Sequence, residues 1–158
     1  MCVMLTMPHI EKKDKKTAAQ MPRALTNAPR SEIVCLVDDD PLVLRSTGLL
    51  LEAEGFVVRQ FNNGEDFIAY VASHEVPVVV LDIWMEKMNG LEVIARLCAI
   101  SPRTHVIVIT GREDSAARIT ATQIGTVGYL VKPFDDEQFL AVVHSALGHR
   151  AGSSSDKL

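Results

Sequence analysis

The 158-residue chain has few of the features that mark secreted, membrane-spanning or nucleic-acid-coating proteins. It holds only 3 cysteines: Cys2, Cys35 and Cys98. Their number is odd, they lie far apart, and no metal-type spacing links them, so they spell out no disulfide framework. Cys35 falls in a strand-like run and Cys98 on a helix-like stripe, where both read as small buried hydrophobes. Unpaired thiols fit a reducing, cytoplasmic setting. No apolar run reaches the roughly 18 residues of a helical membrane span. A secretory signal is also missing: the stretch from Met1 to Met7 is short, is broken by Pro8 and His9, and has its lysines after it. Charge of one sign is scarce, with a net of -4, so the overall balance calls for neither nucleic acid nor an acidic membrane surface. What remains is 47% hydrophobic and 23% charged, the composition of one globular domain with a real core.

Residues 1–30 differ from the rest. Lys12, Lys13, Lys15, Lys16, Arg23 and Arg30 face only Glu11 and Asp14, and Pro8, Pro22 and Pro29 interrupt the stretch. It reads as a flexible basic arm. The organised region is 31–148, and 149–158 reads as a disordered polar tail. Within the organised region, apolar runs predict strands over 33–37, 56–61, 77–81, 105–110 and 129–131. Helical spacing predicts helices over 41–54, 65–73, 91–100, 113–124 and 134–147. Asp40 is placed to cap the first helix and Pro41 suits its first turn. Gly55 closes it, and Gly125 closes the fourth. The unbroken run from Pro77 to Leu81 suggests a central strand covered on both faces. Five strands alternating with five helices imply a doubly wound α/β fold with a five-stranded parallel sheet and right-handed crossovers.

Four of the strands end in polar groups. Asp38 and Asp39 end the first, Asp82 the third, Thr110 the fourth and Lys132 the fifth. In an open parallel sheet, ligands bind at the carboxyl ends of the strands. A lone aspartate after a strand is usually a helix cap, and Thr110–Gly111 or Lys132–Pro133 alone is weak. Asp40 suffices as the cap, however, which leaves two carboxylates to explain. Clustered carboxylates resist joint ionisation without a counter-charge. Mg²⁺, a hard cation that prefers oxygen ligands, would supply it. A carboxylate beside such an ion can attack phosphorus, while a lysine and a hydroxyl hold the phosphoryl oxygens.

The residues that carry a family likeness are Leu36, Val37, Asp38, Asp39, Asp40 and Pro41; Val80 to Ile83, with Met85 and Gly90; Val108 to Gly111; and Gly128 to Phe134. Over about 32–147 the chain resembles the receiver domains of bacterial two-component response regulators. It is most similar to the receivers that precede DNA-binding output domains in nitrogen-fixation-type regulators. The resemblance implies a flavodoxin-like strand order 2-1-3-4-5. It implies Asp82 as phosphoacceptor, supplied by a sensor histidine kinase or a phosphotransfer protein. It also implies Mg²⁺ held by Asp38, Asp39, Asp82 and the backbone carbonyl of Trp84. Thr110 and Lys132 would bind the phosphoryl group, with Thr110 and Tyr129 as the switch pair. The Lys132–Pro133 peptide would be cis.

With no output domain after the last helix, the expectation is a stand-alone regulator. It would act on a protein target or a second copy through the face built by 113–124, 129–131 and 134–147, without direct DNA binding. Such a protein promotes its own phosphorylation and dephosphorylation but is not a turnover enzyme. Two positions depart from the family pattern: Glu86 stands where proline is usual, and Trp84 is bulky for its place. Three rivals follow. One is a degenerate receiver serving only as an interaction module. Another is an aspartyl phosphatase, which Trp84 disfavours because such enzymes need a second acid two residues past the nucleophile. The third is nucleic-acid binding through the basic arm.

Overall fold

A computed structural model describes residues 32–156, with side chains as far as residue 148. The basic arm at 1–30 and the last two residues lie outside the described residues. Five strands form one sheet: β1 (Ile33–Val37), β2 (Val57–Phe61), β3 (Val78–Leu81), β4 (His105–Thr110) and β5 (Gly128–Val131). Five helices alternate with them: α1 (Pro41–Ala53), α2 (Gly64–Val71), α3 (Gly90–Ile100), α4 (Ser115–Ile124) and α5 (Asp136–Asp156). The strand order is β2-β1-β3-β4-β5, and every pairing is parallel. This is the doubly wound arrangement expected from the alternating pattern.

The apolar strands bury residues on both faces. Cys35, Val37, Val79, Leu81, Val106 and Val108 join Phe67, Val93, Ile94 and Leu97 in one cluster. Val34, Leu36, Val78, Val80, Ile107 and Ile109 join Leu44, Leu51, Phe139 and Val143 in the other. Alternate residues of one strand therefore enter opposite layers, as the pleat requires. That is why β1 and β3 carry only apolar residues and the small thiol Cys35, while β4 is polar only at its two ends, His105 and Thr110.

Caps set the helix starts. The Asp40 side chain accepts from the Leu42 amide at 2.9 Å, with Pro41 in the first turn of α1. Asn63, Asn89 and Asp114 cap α2, α3 and α4 in the same way. Gly55 and Gly125 take the left-handed conformation just past α1 and α4, with φ of 96° and 116°, where a Cβ would be strained.

Three expectations need correction. Cys98 is exposed, and its thiol donates to the Ile124 carbonyl at 3.6 Å. Val93, Ile94 and Leu97 supply the buried stripe of α3, so the ring position of Cys98 falls outside it. The last helix begins at Asp136, not at 134, because Asp135 accepts from the Gln138 amide at 2.6 Å and serves as its cap. It also runs to Asp156, so the backbone is helical through most of the stretch read as a disordered tail. Once a helix is nucleated, each further residue gains a hydrogen bond for the dihedrals it fixes. Gly148 and Gly152 alone do not stop it.

Candidate functional site

The sheet places β1 beside both β2 and β3, so the strand order reverses between β1 and β3. The crevice at such a reversal is where open α/β sheets take ligands. Val37 pairs with Leu81 at the last rung of the β1–β3 ladder. The Asp82 amide then donates to the Val37 carbonyl at 3.0 Å. The chain therefore leaves both strands at the same level, and Asp38 and Asp82 emerge side by side.

Carboxylate oxygens of Asp38, Asp39 and Asp82 all lie within 4.8 Å of one another. Asp38 and Asp82 are buried, at 2% and 7% exposure, whereas Asp39 is exposed. From the far side of the sheet, Lys132 Nζ reaches Asp38 Oδ2 at 3.2 Å and Asp82 Oδ2 at 4.0 Å. One ammonium thus stands against three carboxylates. Asp82 is pushed up from 3.8 to about 6, first by burial and then by the Asp38 charge. Asp38 is also raised by burial, against the Asp40 amide and Lys132, which favour its charged form. Electrostatically, the pocket is short of positive charge. Its donor set is hard oxygen, so it fits a divalent cation such as Mg²⁺.

Backbone amides aim the carboxylates. The Asp40 amide donates to Asp38 Oδ1 at 2.9 Å and the Trp84 amide to Asp82 Oδ1 at 3.1 Å. The Glu86 amide crosses to Asp39 Oδ2 at 3.0 Å, a bond that proline at this position could not make. Behind the acceptor, Gly90 is required by close approach. A Cβ there would collide with the Asp82 carbonyl oxygen and lie 2.6 Å from Ile83 Cα, while the Gly90 amide donates to the Ile83 carbonyl at 2.8 Å. In the sequence Gly90 counted toward the family likeness, but its close approach to the acceptor backbone was not read there. Its position directly after the Asn89 cap was the available signal.

Thr110 is fully buried at the end of β4. Its hydroxyl accepts from the Arg112 amide at 3.3 Å and donates to the Arg112 carbonyl at 3.4 Å. It therefore faces its own loop and makes no hydrogen bond to the acidic cluster. Tyr129 on β5 is half-buried, and its hydroxyl is wholly covered, with no hydrogen-bond partner among the described residues. Burial raises the Tyr129 pKa. The Lys132–Pro133 peptide is cis, as the resemblance implies.

Comparison with known proteins agrees with this architecture. The model of the response regulator receiver domain family matches residues 34–144. The transcriptional regulatory protein FixJ of Azorhizobium caulinodans is 34% identical over 78% of this chain and 58% of its own length. A beryllofluoride-activated NtrC4 receiver domain dimer aligns with TM-score 0.72 and 30% identity, over 75% of this chain and 98% of that one. A Burkholderia pseudomallei response regulator, solved with a phosphorylated aspartic acid, a calcium ion and citrate, aligns with TM-score 0.67 and 25% identity. That alignment covers 80% of this chain and 75% of the other. The chain belongs to the response regulator receiver domain family of two-component systems. It spans less than two thirds of the length of the first curated relatives it matches. Among the described residues, no helix is long and apolar enough to cross a membrane.

Proposed function

We propose that this receiver is a phosphorylatable switch with Asp82 as its acceptor and Mg²⁺ as its cofactor. One observation carries the reading: three carboxylates converge within 4.8 Å, with a single lysine shared between Asp38 and Asp82. A similar response regulator protein with a phosphorylated aspartic acid and a calcium ion supports it.

Asp38, Asp39 and Asp82 would hold the ion together with the backbone carbonyl of Trp84. The ion would neutralise charge on the acidic cluster and on the incoming phosphoryl group. An Asp82 oxygen forms the new bond to phosphorus. The bond from phosphorus to the donor breaks, and the donor leaves with that electron pair. The donor is a histidine kinase or phosphotransfer protein, or acetyl phosphate in the test tube. Lys132 shifts its charge from the free carboxylate to a phosphoryl oxygen, and the Thr110 hydroxyl donates to another.

Tyr129 then repacks, and the face of α4, β5 and α5 presents the signal to a protein target or a second copy. The chain carries Trp84 two residues past the acceptor, where a turnover phosphatase needs an acid. A self-limited phosphoacceptor is therefore a better reading than a turnover enzyme. The Glu86 amide bond to Asp39 favours a second reading, a phosphorylation-independent interaction module, because it occupies an oxygen of a metal ligand.

Intact mass after incubation with acetyl phosphate and Mg²⁺ separates the two readings. The parent gains one phosphoryl unit, and neither Asp82→Asn nor the parent in excess chelator does. A folded parent whose mass never rises would leave only the interaction module.

A further inference from the structure

The short loop from Gly111 to Asp114, between β4 and α4, holds more than Thr110. The Arg112 backbone exchanges two hydrogen bonds with the Thr110 hydroxyl. The Arg112 guanidinium lies over the Trp84 ring, 4.5 Å from its centroid. Trp84 belongs to the loop after Asp82, and its amide is the one that aims Asp82 Oδ1. Its indole nitrogen is buried with no hydrogen-bond partner among the described residues. The cation on the ring face is therefore its principal polar contact. Next along the loop, Glu113 pairs with Arg118 at 3.4 Å. Arg118 in turn lies over the Tyr129 ring, 4.8 Å from its centroid.

We infer that Arg112 is a positioning residue that latches Trp84, and with it the loop after Asp82, to the Thr110 switch and opposes activation. This deepens the phosphoacceptor reading and rests on it. A hydroxyl has one proton to donate. Thr110 cannot give that proton to a phosphoryl oxygen and to the Arg112 carbonyl at once. Phosphorylation therefore removes one of the two bonds that seat the Arg112 backbone, and the guanidinium loses its alignment over the indole. In the resting molecule the stack works in the opposite direction: it holds Arg112, and Arg112 holds the hydroxyl away from the pocket. An exposed cation–π contact shifts such an equilibrium roughly two- to fivefold.

The chain contains a single tryptophan, so Trp84 is its own reporter. The test uses the full chain with Mg²⁺ and beryllofluoride as the phosphoryl mimic. It follows acrylamide quenching of Trp84 fluorescence, and the Thr110 amide by NMR. In the parent, quenching rises as beryllofluoride saturates. In Arg112→Ala, quenching is already high without the mimic, which binds about two- to fivefold more tightly because no latch must open. Arg112→Lys keeps a cation and falls between them. Arg112 is exposed, so both variants are expected to fold, and a merely structural loss would weaken binding rather than tighten it. A Thr110 amide that responds identically in all three proteins, with identical Trp84 quenching, overturns the latch and leaves the acceptor standing. A Thr110 amide that never responds overturns both.

Discussion

Helices α3 and α4 flank neighbouring parts of one sheet face and are anchored in opposite ways. Helix α3 buries Val93, Ile94 and Leu97, and its first residue, Gly90, is pressed against the backbone of Asp82. Helix α4 buries only Ala117 and Ala121, and leaves Ile119 57% exposed. Burying a branched aliphatic side chain contributes about 1.5–3 kcal/mol, and an alanine methyl far less. The acceptor is thus mounted on the firm side of the molecule. The groups that would read it out, Thr110 and Tyr129, sit on the soft side, where Arg118 of α4 lies over the Tyr129 ring. A switch needs this division: the site must hold its geometry while a neighbouring element has two arrangements of similar energy.

The largest expected effect breaks the firm side. Leu97→Ala should destabilise the fold by about 2–5 kcal/mol, read from urea midpoints. Ala121→Gly on the soft side should cost only about 1 kcal/mol. Equal losses would erase the distinction.

The next effect comes from the site itself. Burial raises Asp82 from 3.8 to about 6 in the folded protein. Between those values the folded state binds a proton that the unfolded state lacks. The stabilising contribution of this group is therefore complete below the unfolded value and is lost as pH rises through about 6. In metal-free buffer, Asp82→Asn should raise stability at pH 7 by up to about 3 kcal/mol and flatten the pH dependence in that window. An asparagine variant no more stable than the parent would contradict a desolvated carboxylate. Excess Mg²⁺ should shrink the difference, because only the parent keeps all three carboxylates.

The smallest effect concerns Trp84, whose bulky ring two residues past the acceptor would shield an acyl phosphate from water. Trp84→Ala should speed loss of the acyl phosphate roughly threefold, equivalent to about 0.7 kcal/mol in the barrier. An unchanged decay rate would reject shielding by the indole.

Most of this site was legible in the sequence because strand ends are. An apolar run bounded by Asp38, Asp82, Thr110 or Lys132 tells where a strand stops, and parallel strands stop on one edge. The low apolar content of 113–124 is visible in the sequence as well, and α4 buries only Ala117 and Ala121. What stayed hidden depends on loops meeting across the sheet. The Glu86 amide bond to Asp39 and the Arg112 stack on Trp84 join residues with no common period or spacing. Cys98 was misread because it adjoins the stripe of α3 without belonging to it. The extension of α5 to Asp156 runs through glycines and serines that read as a helix stop.

The most direct measurement is amide hydrogen exchange of the parent, with and without beryllofluoride and Mg²⁺. Protection should change at Thr110 to Asp114, along α4 and at Tyr129, while α3 keeps its slow exchange in both states. A change spread evenly over α3 and α4, or confined to α3, would contradict a firm mount driving a soft reader.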